Sequence, residues 1–143
     1  MRVPRVTVTV EIAAPVARVW RALTVPAEVA QWDGVDPAAV PDGYPEVGQQ
    51  ARWGTKVGFL HLTLHDRIRL VEVERRLASS INVAIMHVEE RYTLETTTRG
   101  TRLTSDNEVS SRLPGLGWLA ARLVSASIRS SMVRFVAHCE ASR

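Results

Sequence analysis

Residues 6–12 read VTVTVEI, and this alternation of apolar and polar side chains is the pattern of a half-buried β-strand. Ala13-Ala14-Pro15 ends the strand, and Pro15 suits the first turn of a helix because its missing N–H needs no partner there. Apolar residues then recur at helical spacing: Val16, Val19, Trp20 and Leu23. Pro26 starts a second short helix that ends at Trp32. The beginning of the chain therefore predicts one strand followed by two short helices.

The middle of the chain predicts a long antiparallel meander. Residues 33–48 contain three prolines and three glycines, which indicates a long loop of the kind that forms lids, with a short edge strand near Ala38–Val40. Alternating segments then predict five strands, at residues 49–56, 59–73, 77–85, 87–97 and 101–111. In the second of these strands the apolar parity slips near Leu70-Val71, which indicates a β-bulge.

From Pro114 the apolar period becomes helical and continues to about Ser142. The apolar face of the meander needs a cover, and only this helix is long enough to supply it. We therefore expect an α+β, helix-grip fold. A curved antiparallel sheet of six to seven strands would wrap around the long C-terminal helix, with two short helices after the first strand.

Several segments resemble one family in their order and spacing. They are the opening strand-Ala-Pro-helix with Gln31-Trp32-Asp33, then Asp66-Arg67-Ile68 with Glu72-Val73-Glu74, then Arg91–Glu95 followed by Gly100–Thr104, and the helix after Leu113-Pro114. Together they resemble the polyketide cyclase/dehydrase group of the START-like (SRPBCC) superfamily. The resemblance implies a cavity that holds a hydrophobic small molecule of polyketide-, steroid- or lipid-like size, without a cofactor.

Composition limits the other classes of function. The 143 residues predict a single ligand-binding domain over residues 1–143. The net charge is +3, but the arginines are scattered among 15 acidic residues, so we expect no nucleic-acid partner. Cys139 is the only cysteine, which excludes an internal disulfide. Apolar segments are interrupted by charges, so we expect no stable membrane insertion. We expect the protein to be cytoplasmic and to be a monomer or a homodimer.

His61 and His65 have the spacing of a helical zinc motif, but their segment alternates like a strand. Four residues of strand separate the two rings by roughly 13 Å, which a single metal ion cannot bridge. Their parity is also opposite to that of the neighbouring leucines. We therefore expect both rings to face solvent and predict no metal site.

Four polar residues share the inward parity of their strands: Asp66, Glu90, Ser105 and Asn107. A buried charge without a partner is costly, so this placement has two interpretations. In one, the four residues line a cavity and bind a ligand or act as acid and base. In the other, they pair with one another or lie at an open rim.

Aromatic residues complete the candidate site. Trp53 and Tyr92 are inward by pattern, and they either belong to the core or line the pocket together with Leu64. Trp32 and Trp118 lie near the predicted loop and the start of the last helix, where the mouth of a helix-grip cavity lies. We expect at least one of them to contact the ligand.

Two functional classes follow from the resemblance, and a third stays open. In the first, the protein cyclises, aromatises or dehydrates a polyketide-like substrate, with Asp66, Glu90 or Tyr92 moving protons and Asn107 orienting a carbonyl. In the second, the same groups only fix the ligand of a carrier or sensor. The third is a protein-interaction module with a filled core. A buried, unpaired acid facing a void would favour the first class.

Overall fold

A computed structural model describes residues 4–141, and its secondary structure begins and ends with the elements expected. The strands are β1 (Arg5–Ile12), β2 (Val35–Ala39), β3 (Gln50–Val57), β4 (Leu60–Glu72), β5 (Arg76–Val83), β6 (Met86–Thr97) and β7 (Gly100–Ser111). The helices are α1 (Val16–Thr24), α2 (Pro26–Trp32) and α3 (Gly117–Ala141). The α+β class, the two short helices after the first strand and the long C-terminal helix are confirmed.

The strands form one antiparallel sheet in the order β1-β7-β6-β5-β4-β3-β2. Strands β2 to β7 follow one another as a meander, and β1 adds to β7 at the edge, with Arg5 opposite Glu108 and Ile12 opposite Thr101. The register of β4 against β5 shifts between Ile68 and Leu70, which is the predicted bulge. Such a bulge increases the local twist and helps a long strand to bend. The curved sheet around a long helix confirms the helix-grip fold.

The start of β2 and the end of β5 differ from their predicted positions, each for a local reason. The edge strand β2 begins at Val35, three residues before the expected start, because Val35 pairs with Thr55 of β3 and buries its side chain. Strand β5 ends at Val83 instead of residue 85, because Ala84 adopts a left-handed backbone conformation with φ of 50°. A turn of this kind is not encoded by hydrophobic alternation.

The two short helices are fastened to the C-terminal half of α3. Glu28 accepts hydrogen bonds from Arg18 at 2.6 Å and from Arg21 at 3.0 Å, and its Oε1 lies 2.9 Å from Nε2 of His138 on α3. Hydrogen bonds from these partners lower the pKa of Glu28 against the opposing effect of burial. Because this network joins all three helices, it fixes the wall that α1 and α2 form beside the sheet.

The long helix covers only one side of the concave face. Its closest packing is against β1 and β7, and Met132, Phe135 and Cys139 are buried there. Its first half stands further from β3 to β6, and Leu123 remains 59% exposed. None of the helices within residues 4–141 is long and apolar enough to cross a bilayer. The space left between α3 and the central strands is where the candidate site lies.

Candidate functional site

A cavity of about 530 Å³ lies between α3 and the inner face of the sheet. Its walls come from β3 to β7, from α2 and from α3, and most of its lining is apolar. The volume falls within the range of small-molecule binding sites, roughly 300–1,000 Å³. The core is therefore hollow beside the central strands, where α3 does not pack.

Sheet register brings the polar residues of the inner face together. Glu90 on β6 pairs with Ser79 on β5 and with Asn107 on β7, so these three residues form one row across the sheet. Tyr92 lies two residues further along β6, on the same face. Asp66 on β4 pairs with Ile81 on β5, two residues along β5 from Ser79, so it lies in the next row on the same face of the sheet. All of these residues except Ile81 carry polar groups into a mostly apolar lining.

Asp66 is 7% exposed and is held by two aromatic donors. The Tyr44 hydroxyl donates to its Oδ2 at 2.7 Å, and the Trp53 Nε1–H donates to the same oxygen at 3.3 Å. Its other oxygen, Oδ1, is buried and has no hydrogen-bond partner among the described residues. Burial raises the pKa of Asp66, and the hydrogen bonds from Tyr44 and Trp53 oppose that rise.

Glu90 is half-buried, and its side chain lines the cavity. Burial raises its pKa to about 8, and the negative charges of Asp33 and Asp66 add to the rise. One long hydrogen bond, from the Tyr92 hydroxyl at 3.4 Å, opposes it. A carboxyl group with this pKa is mostly protonated at neutral pH, so Glu90 can donate a proton.

Asp33 is a functional candidate that the sequence did not reveal. It caps the end of α2 and lines the cavity beside Ser131 and Met132 of α3. Burial raises its pKa to about 7, while a hydrogen bond with Ser131 and the charge of Arg134 lower it. Its inward position depends on how α2 docks against α3, which no sequence pattern reports.

Tyr44 is the second residue that was missed. It comes from the proline- and glycine-rich loop, and its ring packs edge-on against Trp53 with centroids 5.8 Å apart. A single aromatic residue within that loop was the available signal, since large apolar side chains are unusual in solvated loops. The loop thus contributes a side chain that lines the cavity and contacts Asp66.

The remaining residues predicted for the site fall into three places. Trp32, Trp53, Leu64 and Asn107 line the cavity, as do the candidate proton donors Asp66, Glu90 and Tyr92. Ser105 is 1% exposed and lies beneath the lining, where its Oγ accepts a hydrogen bond from Asn107 at 3.0 Å. Trp118 is 60% exposed at the start of α3, away from the lining residues.

The two histidines of β4 face solvent, as the alternation of apolar residues along this strand predicted. His61 and His65 are both exposed on the outer face of β4. Across residues 4–141, no cluster of three or more His, Cys, Asp or Glu side chains has a geometry that could hold a metal ion. Burial also raises the pKa of the Cys139 thiol to about 12, so this side chain is a poor nucleophile.

Comparison with known proteins identifies the family. Residues 3–140 match the family described as polyketide cyclase / dehydrase and lipid transport. The chain belongs to this family. The match covers nearly the whole sequence, and it agrees with the helix-grip architecture and with the resemblance of the individual segments. No curated protein matches the chain.

Solved structures share the fold. A protein from Arthrobacter aurescens is 16% identical, with a TM-score of 0.81 over 94% of this chain and 85% of its own. Protein CV1439 from Chromobacterium violaceum is 16% identical, with a TM-score of 0.76 over 93% and 95% of the two chains. DynU16, a protein in the dynemicin biosynthetic locus, is 26% identical with a TM-score of 0.73. The match covers 94% of this chain and 46% of DynU16.

The raised pKa of Glu90 predicts how stability changes with pH. The folded pKa lies above the ordinary value of 4.5, so Glu90 stabilises the fold fully below about pH 4.5. That contribution is lost as the pH rises through about 8. We expect Glu90→Gln not to show this loss. Between about pH 6 and pH 9, the free energy of unfolding of Glu90→Gln should therefore rise relative to that of the wild type by on the order of 2 kcal/mol.

Urea unfolding of Glu90→Gln and the wild type at about pH 6 and about pH 9 measures these free energies of unfolding. Glu95→Gln is the matched control, because Glu95 lies on the same strand but is exposed on the outer face. Equal pH dependence in Glu90→Gln and the wild type would mean that Glu90 does not titrate in a desolvated site.

Proposed function

We propose that the protein binds a hydrophobic small molecule of polyketide-, steroid- or lipid-like size within this cavity. The observation that carries the proposal is a cavity of about 530 Å³, mostly apolar, where a domain of this size would ordinarily have a close-packed core. The family description, which names polyketide cyclases and lipid transport, supports it. A protein-interaction module with a filled core is disfavoured by the same observation.

The route of entry lies along the first half of α3. Leu123 and Ser127 both line the cavity and are exposed to solvent, so the lining reaches the surface there. Trp118 and Leu119 extend the exposed apolar surface towards the start of the helix. A hydrophobic molecule can therefore reach the cavity beside α3 without unfolding the sheet.

A second candidate function is acid–base catalysis on the bound molecule. It is favoured by Glu90 and Asp66, which are enclosed, face the cavity and make no salt bridge with any Lys, Arg or His among the described residues. Two carboxyl groups with different environments can take opposite roles. Glu90 has the higher tendency to stay protonated, whereas the two donors on Asp66 favour its ionised form.

Dehydration of a β-hydroxy ketone illustrates the roles. Asp66 removes the proton next to the carbonyl, the C–O bond to the hydroxyl breaks, and Glu90 protonates the departing hydroxyl as water. The electron pair of the C–H bond becomes the new C=C bond, so no oxidant or cofactor is needed. The family description, which names dehydrases, supports this class of reaction.

Narrowing the entry route tests the binding function. We expect Ser127→Trp to weaken the binding of pyrene, a neutral polycyclic fluorophore, at least about tenfold, because the new indole fills the opening beside α3. Ala126→Trp is the control, since Ala126 is exposed on the same helix but does not line the cavity. Pyrene fluorescence titration measures both affinities.

A failure of the wild type to bind pyrene at one site per chain would contradict the binding function. Equal weakening by Ala126→Trp and Ser127→Trp would contradict the proposed entry route. Circular dichroism melting of the two variants verifies that each remains folded during the titration.

Acid–base catalysis can be tested separately from binding, with a model dehydration reaction. The aldol adduct of naphthaldehyde and acetone should lose water faster with the protein than without it, as followed by the absorbance of the conjugated enone. We expect Glu90→Gln to lower this rate about a hundredfold, the usual contribution of a general acid, while Glu95→Gln leaves it unchanged. No acceleration by the wild type, or equal rates with Glu90→Gln, would reject catalysis and leave the binding function standing.

A further inference from the structure

The polar groups in the cavity are unbalanced in charge. Three carboxyl groups line it, those of Asp33, Asp66 and Glu90. No Lys, Arg or His is among the described residues of the lining. Burial of several acids is costly unless hydrogen-bond donors or cations compensate each of them.

The three carboxyl groups are not equally compensated. Asp33 has the nearby charge of Arg134, and Asp66 accepts two hydrogen bonds from Tyr44 and Trp53. Among residues 4–141, Glu90 receives only the long hydrogen bond from Tyr92, and no cationic side chain contributes to its pKa. Glu90 is therefore the carboxyl group with the fewest donors and the greatest need for one.

An independent observation points to the same place. Asn107 is 0% exposed, and its Nδ2 donates to the carbonyl of Val6 at 3.3 Å and to Ser105 Oγ at 3.0 Å. With both donors used, its Oδ1 is buried and has no hydrogen-bond partner in the part of the chain that the structure describes. Asn107 stands directly opposite Glu90 on the neighbouring strand, about 5 Å away between Cα atoms. Asn107 Oδ1 thus lacks a donor, and the neighbouring Glu90 accepts a single long hydrogen bond from Tyr92.

The surroundings of this pair suit a cation with an apolar body. Tyr44, Trp53 and Tyr92 line the cavity together with these acceptors, and aromatic rings attract cations through the negative charge of their faces. A primary ammonium has three N–H donors, which matches a site that has acceptors in excess. An anionic ligand would be repelled by whichever of the three carboxyl groups is ionised, and a neutral ligand could not supply the positive charge that an ionised Glu90 lacks.

We propose that the cavity selects a hydrophobic small molecule bearing a protonated amine, whose ammonium group is held by Glu90 and Asn107. This inference rests on the proposed binding function and specifies the chemical class of its ligand. The apolar body of the molecule fills the space under α3. Asp33 and Asp66 contribute negative charge without contacting the ammonium directly.

Three pyrene derivatives of similar shape test the selection at about pH 7.5. We expect pyrenemethylamine to bind at least about tenfold more tightly than pyrenemethanol, because a charge-assisted hydrogen bond replaces a neutral one. Pyrenecarboxylate should bind more weakly than the alcohol. Glu90→Gln should reduce the affinity for the amine to that for the alcohol, and Glu95→Gln should leave the preference intact.

The possible outcomes separate this inference from the function on which it rests. If none of the three compounds binds, both the binding function and the selection of amines are wrong. If the alcohol or the carboxylate binds as tightly as the amine, only the selection is wrong. If the amine binds tightest but Glu90→Gln keeps the whole preference, Glu90 is not the group that holds it.

A second measurement needs no variant. Glu90 is mostly protonated at neutral pH and must ionise to pair with an ammonium, so binding of the amine should release protons. Calorimetric titrations in two buffers with different ionisation enthalpies measure that release. We expect a release of protons for pyrenemethylamine and none for pyrenemethanol. No buffer dependence with the amine would overturn the proposal even if the variant did not fold.

Discussion

Carboxyl groups buried beside an apolar cavity are the constraint on which the rest of this structure depends. Charge on Asp33, Asp66 or Glu90 is costly because each carboxyl group is desolvated by burial, and the charges of Asp33 and Asp66 raise the cost at Glu90 further. Glu90, the least compensated of the three, therefore stays protonated to the highest pH. Its environment determines what the cavity can bind and whether it can move a proton.

The position of α3 creates that environment. Its C-terminal half is locked to α1 and α2 through Glu28 and packs Phe135 against Trp32, with ring centroids 4.6 Å apart. Its N-terminal half has no comparable anchor on β3 to β6, so the sheet and the helix diverge there. One end of the molecule is a close-packed core and the other is a cavity, and the row of Ser79, Glu90 and Asn107 lies on the cavity side.

Most of the fold could be predicted from the sequence because its strands are long and alternate cleanly. The parity that placed Asp66, Glu90 and Asn107 inward is a local property of each strand, and the parity slip near Leu70 marked the bulge. Asp33 and Tyr44 could not be predicted, since one lies at a helix end and the other in a loop. Their positions depend on tertiary docking. Trp118 likewise follows a helical pattern whose first turns the sheet does not cover.

Whether the Glu90 carboxyl group is desolvated and unpaired can be measured by a carbon-13 NMR titration of that group. Comparison with Glu90→Gln assigns its signal. We expect a midpoint near 8 in the unliganded protein, because burial and the charges of Asp33 and Asp66 disfavour the ionised form of that carboxyl group. A midpoint near the ordinary value of 4.5 would contradict it, since Glu90 would then be hydrated or paired with a cation.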